Sequence, residues 1–97
     1  MTTDTKEAII QSSGNVFADL GFPPEEAALL SMRAQLMATL RERITEAGWT
    51  QVQAAERLGI GQSRVSDLMR NKYDKFSLDM LVTLATRAGR RVELALV

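Results

Sequence analysis

The sequence predicts an all-α domain of about five helices, followed by one short C-terminal β-strand paired across a dimer. Three observations predict it. Apolar residues recur at three- and four-residue intervals across most of residues 24–90, the period of a helix with one buried face. Capping residues and glycine stops bracket each such run. The tail Arg91-Val92-Glu93-Leu94-Ala95-Leu96-Val97 instead alternates with a period of two, as a strand does. With 97 residues, 45% hydrophobic and 25% charged, the composition is that of one small folded domain. The chain reads as an acidic N-terminal arm over 1–23, partly disordered or partner-binding, a helical domain over 24–90 and the strand over 91–97.

Residues 1–14 are polar apart from Ala8-Ile9-Ile10 and read as loose. Asn15 can cap a short helical turn that Gly21 ends. Its Val16, Phe17, Leu20 and Phe22 are too apolar for a solvated tail, so they pack on the body or meet a partner. Pro23-Pro24 opens the next helix, where a missing N–H costs nothing, and Glu25 and Glu26 suit its positive end. That helix runs about six turns to Ala47. Leu29, Leu36, Leu40, Ile44 and Ala47 line its inner face, Leu30 and Met37 flank it, and Gly48 stops it. Thr50 and Gln53 form a capping box for a helix that buries Val52, Ala55 and Leu58 and closes at Gly59. A turn through Gly61 leads to a helix over Gln62–Arg70, with Val65, Leu68 and Met69 inward. After the loop Asn71–Lys75, Ser77 caps the last helix, Phe76 and Leu81 form a hydrophobic staple, and Gly89 ends it. The tail is the sole clear strand, and a lone strand leaves its backbone groups unpaired. Pairing of Val92, Leu94 and Leu96 with the same strand of a second copy solves that problem.

The composition excludes whole classes of chemistry. The sequence has no histidine and no cysteine, which removes zinc fingers, disulfide scaffolds, thiol nucleophiles and imidazole acid–base catalysis. The carboxylates are scattered and show no metal-binding or catalytic pairing, and no glycine loop cradles a phosphate. A protein without enzymatic activity, metal or cofactor is expected. No apolar run approaches the ~18–20 residues of a membrane helix, and the N-terminus lacks a signal peptide's pattern. A cytoplasmic location with no membrane contact is expected. Net charge is zero, yet residues 1–30 carry −4 and residues 31–97 carry +4. The remainder of the chain is therefore basic once the acidic third is set aside.

The informative block is Gln51 to Leu68, with Ala55, Gly59, Val65 and Leu68 at helix-turn-helix spacing. Alanine lets two helices cross closely, and glycine past the first helix permits a turn through positive φ. Val65 and Leu68 hold the second helix against the first, presenting its other side for a DNA major groove. That side carries Gln62, Ser63, Arg64, Ser66, Asp67 and Arg70, hydrogen-bonding groups of the kind that read bases and phosphates. Lys72 and Lys75 follow, and residues 62–75 carry a net +2. Arg64 is the leading base reader, because arginine can bond guanine O6 and N7 together. Asp67 either accepts from cytosine N4 or orients Arg64 or Arg70. Trp49 reads as a core or rim residue, and Tyr73 as a phosphate donor or a shield of the core.

At these residues the sequence resembles the Cro/CI-like (XRE) helix-turn-helix regulators, which share the lambda-repressor-like fold. Gln62-Ser63-Arg64-Val65-Ser66-Asp67-Leu68-Met69 with Lys72 and Phe76-Ser77-Leu78-Asp79 is similar to the HigA-like antitoxins within that family. The resemblance implies repression by a homodimer on double-stranded DNA with an inverted-repeat operator. It also implies neutralisation of a RelE/HigB-like toxin. It assigns phosphate contact to Gln51, base contact to Gln62, Ser63 and Arg64, base or phosphate contact to Ser66 and Asp67, and backbone contact to Arg70, Asn71 and Lys72, with Lys75 beside them. Gly61 departs from the family's capping Ser or Thr. Asn71 replaces a frequent glycine and should keep the left-handed turn. Val16, Phe17, Leu20 and Phe22 are the candidate toxin contacts. A stand-alone regulator, or an interaction module that has lost DNA binding, stays open at the level of sequence.

Overall fold

The computed structural model describes residues 15–97, so the expectation that residues 1–14 are loose lies outside the described residues. Five helices follow one another: α1 (Val16–Asp19), α2 (Pro24–Ala47), α3 (Gln51–Leu58), α4 (Gln62–Met69) and α5 (Leu78–Arg87). A single 3-10 turn, Tyr73–Lys75, interrupts the loop between α4 and α5. The chain divides between Met32 and Arg33 into two compact units.

In the N-terminal unit, Asn15 does the capping its sequence position predicts. Its Oδ1 accepts from the backbone N–H groups of Phe17 and Ala18 at 3.0 and 3.2 Å. The same side chain donates from Nδ2 to the Ala27 carbonyl at 3.1 Å, which fixes α1 beside the first turn of α2. Phe17 is buried and meets the Phe22 ring edge-on, with centroids 6.1 Å apart. Leu29, expected on an inner face, is exposed.

In the second unit, the core gathers one face from every helix. Met37, Leu40 and Ile44 of α2 meet Ala54, Ala55 and Leu58 of α3, Val65 and Leu68 of α4, and Leu81, Leu84 and Ala85 of α5. Phe76 and Ala88 complete it. The inner face of α3 differs from the sequence reading at one position: Val52 is 48% exposed and Ala54 is 0% exposed. At about 100° per residue Ala54, Ala55 and Leu58 share one side of α3, and Val52 falls outside it. Ala47, read as inner on α2, is exposed at that helix's end.

The helix boundaries rest on local hydrogen bonds. Thr50 and Gln53 form the reciprocal capping box, at 3.1 Å from the Gln53 N–H to Thr50 Oγ1 and 2.9 Å from the Thr50 N–H to Gln53 Oε1. Ser77 Oγ accepts from the Met80 N–H at 3.1 Å, and both staple residues, Phe76 and Leu81, lie in the core. Gly59 adopts φ +71°. There the N–H groups of Gly59 and Ile60 both donate to the Ala55 carbonyl, at 2.8 and 3.1 Å. Arg87 adds a second cap by donating from Nη1 to the Leu58 carbonyl at 2.9 Å.

The expected C-terminal strand is not formed. Among the described residues no strand occurs, and Arg91–Val97 is irregular and exposed. Val92, Leu94 and Leu96 are 38%, 83% and 92% exposed. A strand is held by hydrogen bonds to a neighbouring strand, and the described residues offer none.

Because Ala54 sits against its neighbours with no free surface, Ala54→Leu should cost about 1–3 kcal/mol by overpacking. Urea denaturation of the two proteins measures the difference.

Candidate nucleic-acid interface

Two short helices joined by a three-residue turn carry the site. α3 and α4 cross over Ala55, Leu58, Val65 and Leu68, and the left-handed Gly59 gives the change of direction. On α4 each residue advances about 100° around the axis. Burial of Val65 and Leu68 therefore turns Ser63, Ser66, Asp67 and Arg70 away from the core, with Gln62 and Arg64 on the flanks. Gln62, Ser63 and Arg70 are exposed, and Arg64, Ser66 and Asp67 are half-buried. The outward face is built around two serines, Ser63 and Ser66, whose small side chains leave the helix backbone open to approach.

α4 begins without a side-chain cap. Gly61 holds the N-cap position at φ −74° and ψ 159°, and no side chain accepts from the first turn. Gln51 is the first residue of α3, exposed and directly after the Thr50 cap. It stands apart in sequence from the α4 row but on the same motif.

The end of α4 is fixed by a left-handed residue. Asn71 has φ +63°, as the sequence predicts. Its N–H donates to the Leu68 carbonyl at 3.2 Å, and the Lys72 N–H donates to the Asp67 carbonyl at 3.0 Å. Arg70, Asn71, Lys72 and Lys75 are all exposed along the loop that follows. Among the described residues the ion pairs are Arg90–Glu46 and Arg91–Glu93. Among the described residues no carboxylate lies within ion-pair distance of Arg70, Lys72 or Lys75. Tyr73 is half-buried against the core.

Arg64 is engaged within the chain. Its Nη1 donates to the Lys75 carbonyl at 2.9 Å, and its guanidinium carbon lies 5.6 Å from the centroid of the Phe76 ring. It does not pair with Asp67, and neither does Arg70. The loop carbonyl and the aromatic face hold Arg64 on the flank of α4, away from the outward carboxylate.

Sequence reasoning missed the other working arginines. Arg41 of α2 donates from Nη1 to Asn71 Oδ1 at 3.1 Å. Arg43 donates from Nε to the Ala88 carbonyl at 2.9 Å. Arg43 and Arg57 place their guanidinium carbons 5.3 and 5.4 Å from the Trp49 ring centroid. Trp49 is packed at the edge of the core, as expected. No signal in the sequence marks these arginines, because their partners are distant backbone carbonyls, a ring and an amide rather than carboxylates at helical spacing.

Among the described residues no cluster of acidic, histidine or cysteine side chains could hold a metal ion, and no helix is long and apolar enough to cross a membrane.

An exposed second helix of a helix-turn-helix, polar along one row and continued by a basic loop, defines a DNA-binding regulator class. A family model described as a helix-turn-helix domain matches residues 16–96, and the chain belongs to that family. A solved structure assigned to the XRE family of transcriptional regulators shares 34% identity with it. The match covers 73% of this chain and 80% of the other, with a TM-score of 0.70. The protein is thus an XRE-type helix-turn-helix regulator. No curated protein matches the sequence.

A Cβ built on Gly61 meets nothing nearer than Ser63 Oγ at 4.0 Å, and the backbone there suits any residue. Gly61→Ser should therefore cap α4 and raise stability by about 0.5–1 kcal/mol, a gain of roughly 2–6 °C in Tm. Thermal unfolding followed by circular dichroism checks it.

Proposed function

We propose that this protein represses transcription as a homodimer on an inverted-repeat operator and serves as the antitoxin of a toxin–antitoxin pair. The outward row on α4 carries the reading. Ser63, Ser66 and Asp67, flanked by Gln62 and Arg64, meet base edges in the major groove. Arg64 keeps the Lys75 carbonyl through Nη1 and offers its remaining guanidinium N–H donors to guanine. Gln51, Arg70, Lys72 and Lys75 contact the phosphate backbone and fix the register, with Asn71 at the turn that shapes their loop. Two copies pair through Val92, Leu94 and Leu96, whose exposure and alternation suit a strand that forms only when a second strand is present. Dimerisation then sets the spacing of the two recognition helices on the operator.

The toxin-binding part of the proposal rests on the N-terminal unit. Val16, Leu20 and Phe22 are 58%, 70% and 38% exposed, while Phe17 is buried and supports them. Residues 15–32 carry Asp19, Glu25 and Glu26 and no lysine or arginine. An apolar patch with an acidic rim suits a basic protein partner, and a RelE/HigB-like toxin that acts on RNA is of that kind.

Titration of labelled duplex from the gene's own upstream region, beside a scrambled duplex, tests the repressor. The native duplex should bind about 10³-fold or more tightly. Its log K should fall with log salt by ~0.9 for each phosphate contacted. Weak binding without preference would move the function to a protein partner alone. For the toxin, co-expression with a small basic protein from the adjacent reading frame should give a stable complex. Leu20→Asp should abolish that complex and leave operator binding within about twofold, since exposed positions away from an interface tolerate substitution.

A further inference from the structure

We propose that Arg41 is a positioning residue for the basic loop after α4, acting through the side chain of Asn71. The inference rests on the reading of α4 and this loop as the DNA-binding face. It begins from a backbone constraint. Position 71 has φ +63°, where glycine carries no penalty and a residue with a Cβ does. The turn itself needs only the backbone: the N–H groups of residues 71 and 72 donate to the carbonyls of Leu68 and Asp67. Asparagine adds one thing that glycine lacks, an acceptor oxygen, and Arg41 Nη1 occupies it at 3.1 Å. Arg41 stands on α2 beside Leu40, which is fully buried, and one turn before Ile44, also buried. The tether therefore runs from the packed part of the long helix to the first residue of the loop.

The far end of the loop is held in the same way. Arg64 donates to the Lys75 carbonyl at 2.9 Å and lies over Phe76, which is 2% exposed. Residues 71–75 are thus fixed at both ends by guanidinium groups. Both acceptors are neutral, one an amide oxygen and the other a backbone carbonyl. A carboxylate in either place would hold the loop equally well and cancel a positive charge beside Lys72 and Lys75. A neutral acceptor holds the loop and leaves the field for phosphate intact. Prior ordering of the loop also removes an entropy cost that binding would otherwise carry.

The test is a double-mutant cycle in DNA affinity with Arg41→Met, Asn71→Gly and the pair. Asn71→Gly is informative because it keeps the left-handed turn and deletes the side-chain amide that Arg41 holds. Each single variant should bind the upstream duplex about two- to tenfold more weakly, the worth of one hydrogen bond. The double variant should bind no more weakly than Arg41→Met. Amide hydrogen exchange across Lys72–Lys75 should quicken in all three, with Tm within about 2 °C of the parent, since the tether is a surface contact. Wild-type affinity in Asn71→Gly, with Arg41→Met alone weakened and its salt slope reduced by ~0.9, would make Arg41 a direct phosphate contact and overturn the proposal. Unchanged loop exchange in both single variants would overturn it as well. If the parent protein shows no sequence preference, the DNA-binding reading fails, and the exchange data alone then decide whether Arg41 orders the loop.

Discussion

The close crossing of α3 and α4 is the constraint on which the rest depends. The small side chain of Ala55 and the left-handed Gly59 allow it. A bulky side chain at the crossing would lift α4, and a chain unable to turn at Gly59 would send it in another direction. With the crossing set, burial of Val65 and Leu68 decides which side of α4 faces outward. The hydrogen-bonding row on that side is thus a consequence of apolar packing on the other.

Arginine does much of the remaining tethering, and it does so with uncharged acceptors. Arg87 closes the end of α3, Arg43 reaches the end of α5, Arg64 holds the Lys75 carbonyl and Arg41 holds Asn71. The guanidinium has five donors and a fixed planar shape, so it can satisfy a helix-end carbonyl that no backbone N–H reaches. These contacts leave the second unit's positive charge largely uncancelled. The zero net charge of the whole sequence conceals this, because residues 1–30 carry −4 against the +4 of residues 31–97.

The parts legible in the sequence are those set by neighbours in the chain. The Thr50–Gln53 box, the Asn15 and Ser77 caps, the stop at Gly59 and the left-handed Asn71 follow from short-range chemistry, and all form. Val52 is exposed where its hydrophobicity suggests burial and Ala54 is buried, because angular position about the α3 axis, not side-chain size, sets the face. The arginine hydrogen bonds leave no mark in the sequence because they join residues 11 to 45 positions apart through backbone carbonyls and one amide. The strand reading of residues 91–97 follows from alternation, but alternation supplies no hydrogen-bond partner. The positions of Gln62 through Lys75 were legible. The inward engagement of Arg64 was not, since it depends on where the loop returns past α4.

The environment of Trp49 has an optical consequence. It is the chain's one tryptophan, half-buried at the junction of α2 and α3 and flanked by the guanidinium groups of Arg43 and Arg57. Arg43 also grips the end of α5 at Ala88. Unfolding strips both cations from the indole and exposes it to water. The emission of this single residue therefore reports, without any attached dye, on the point where three helices meet.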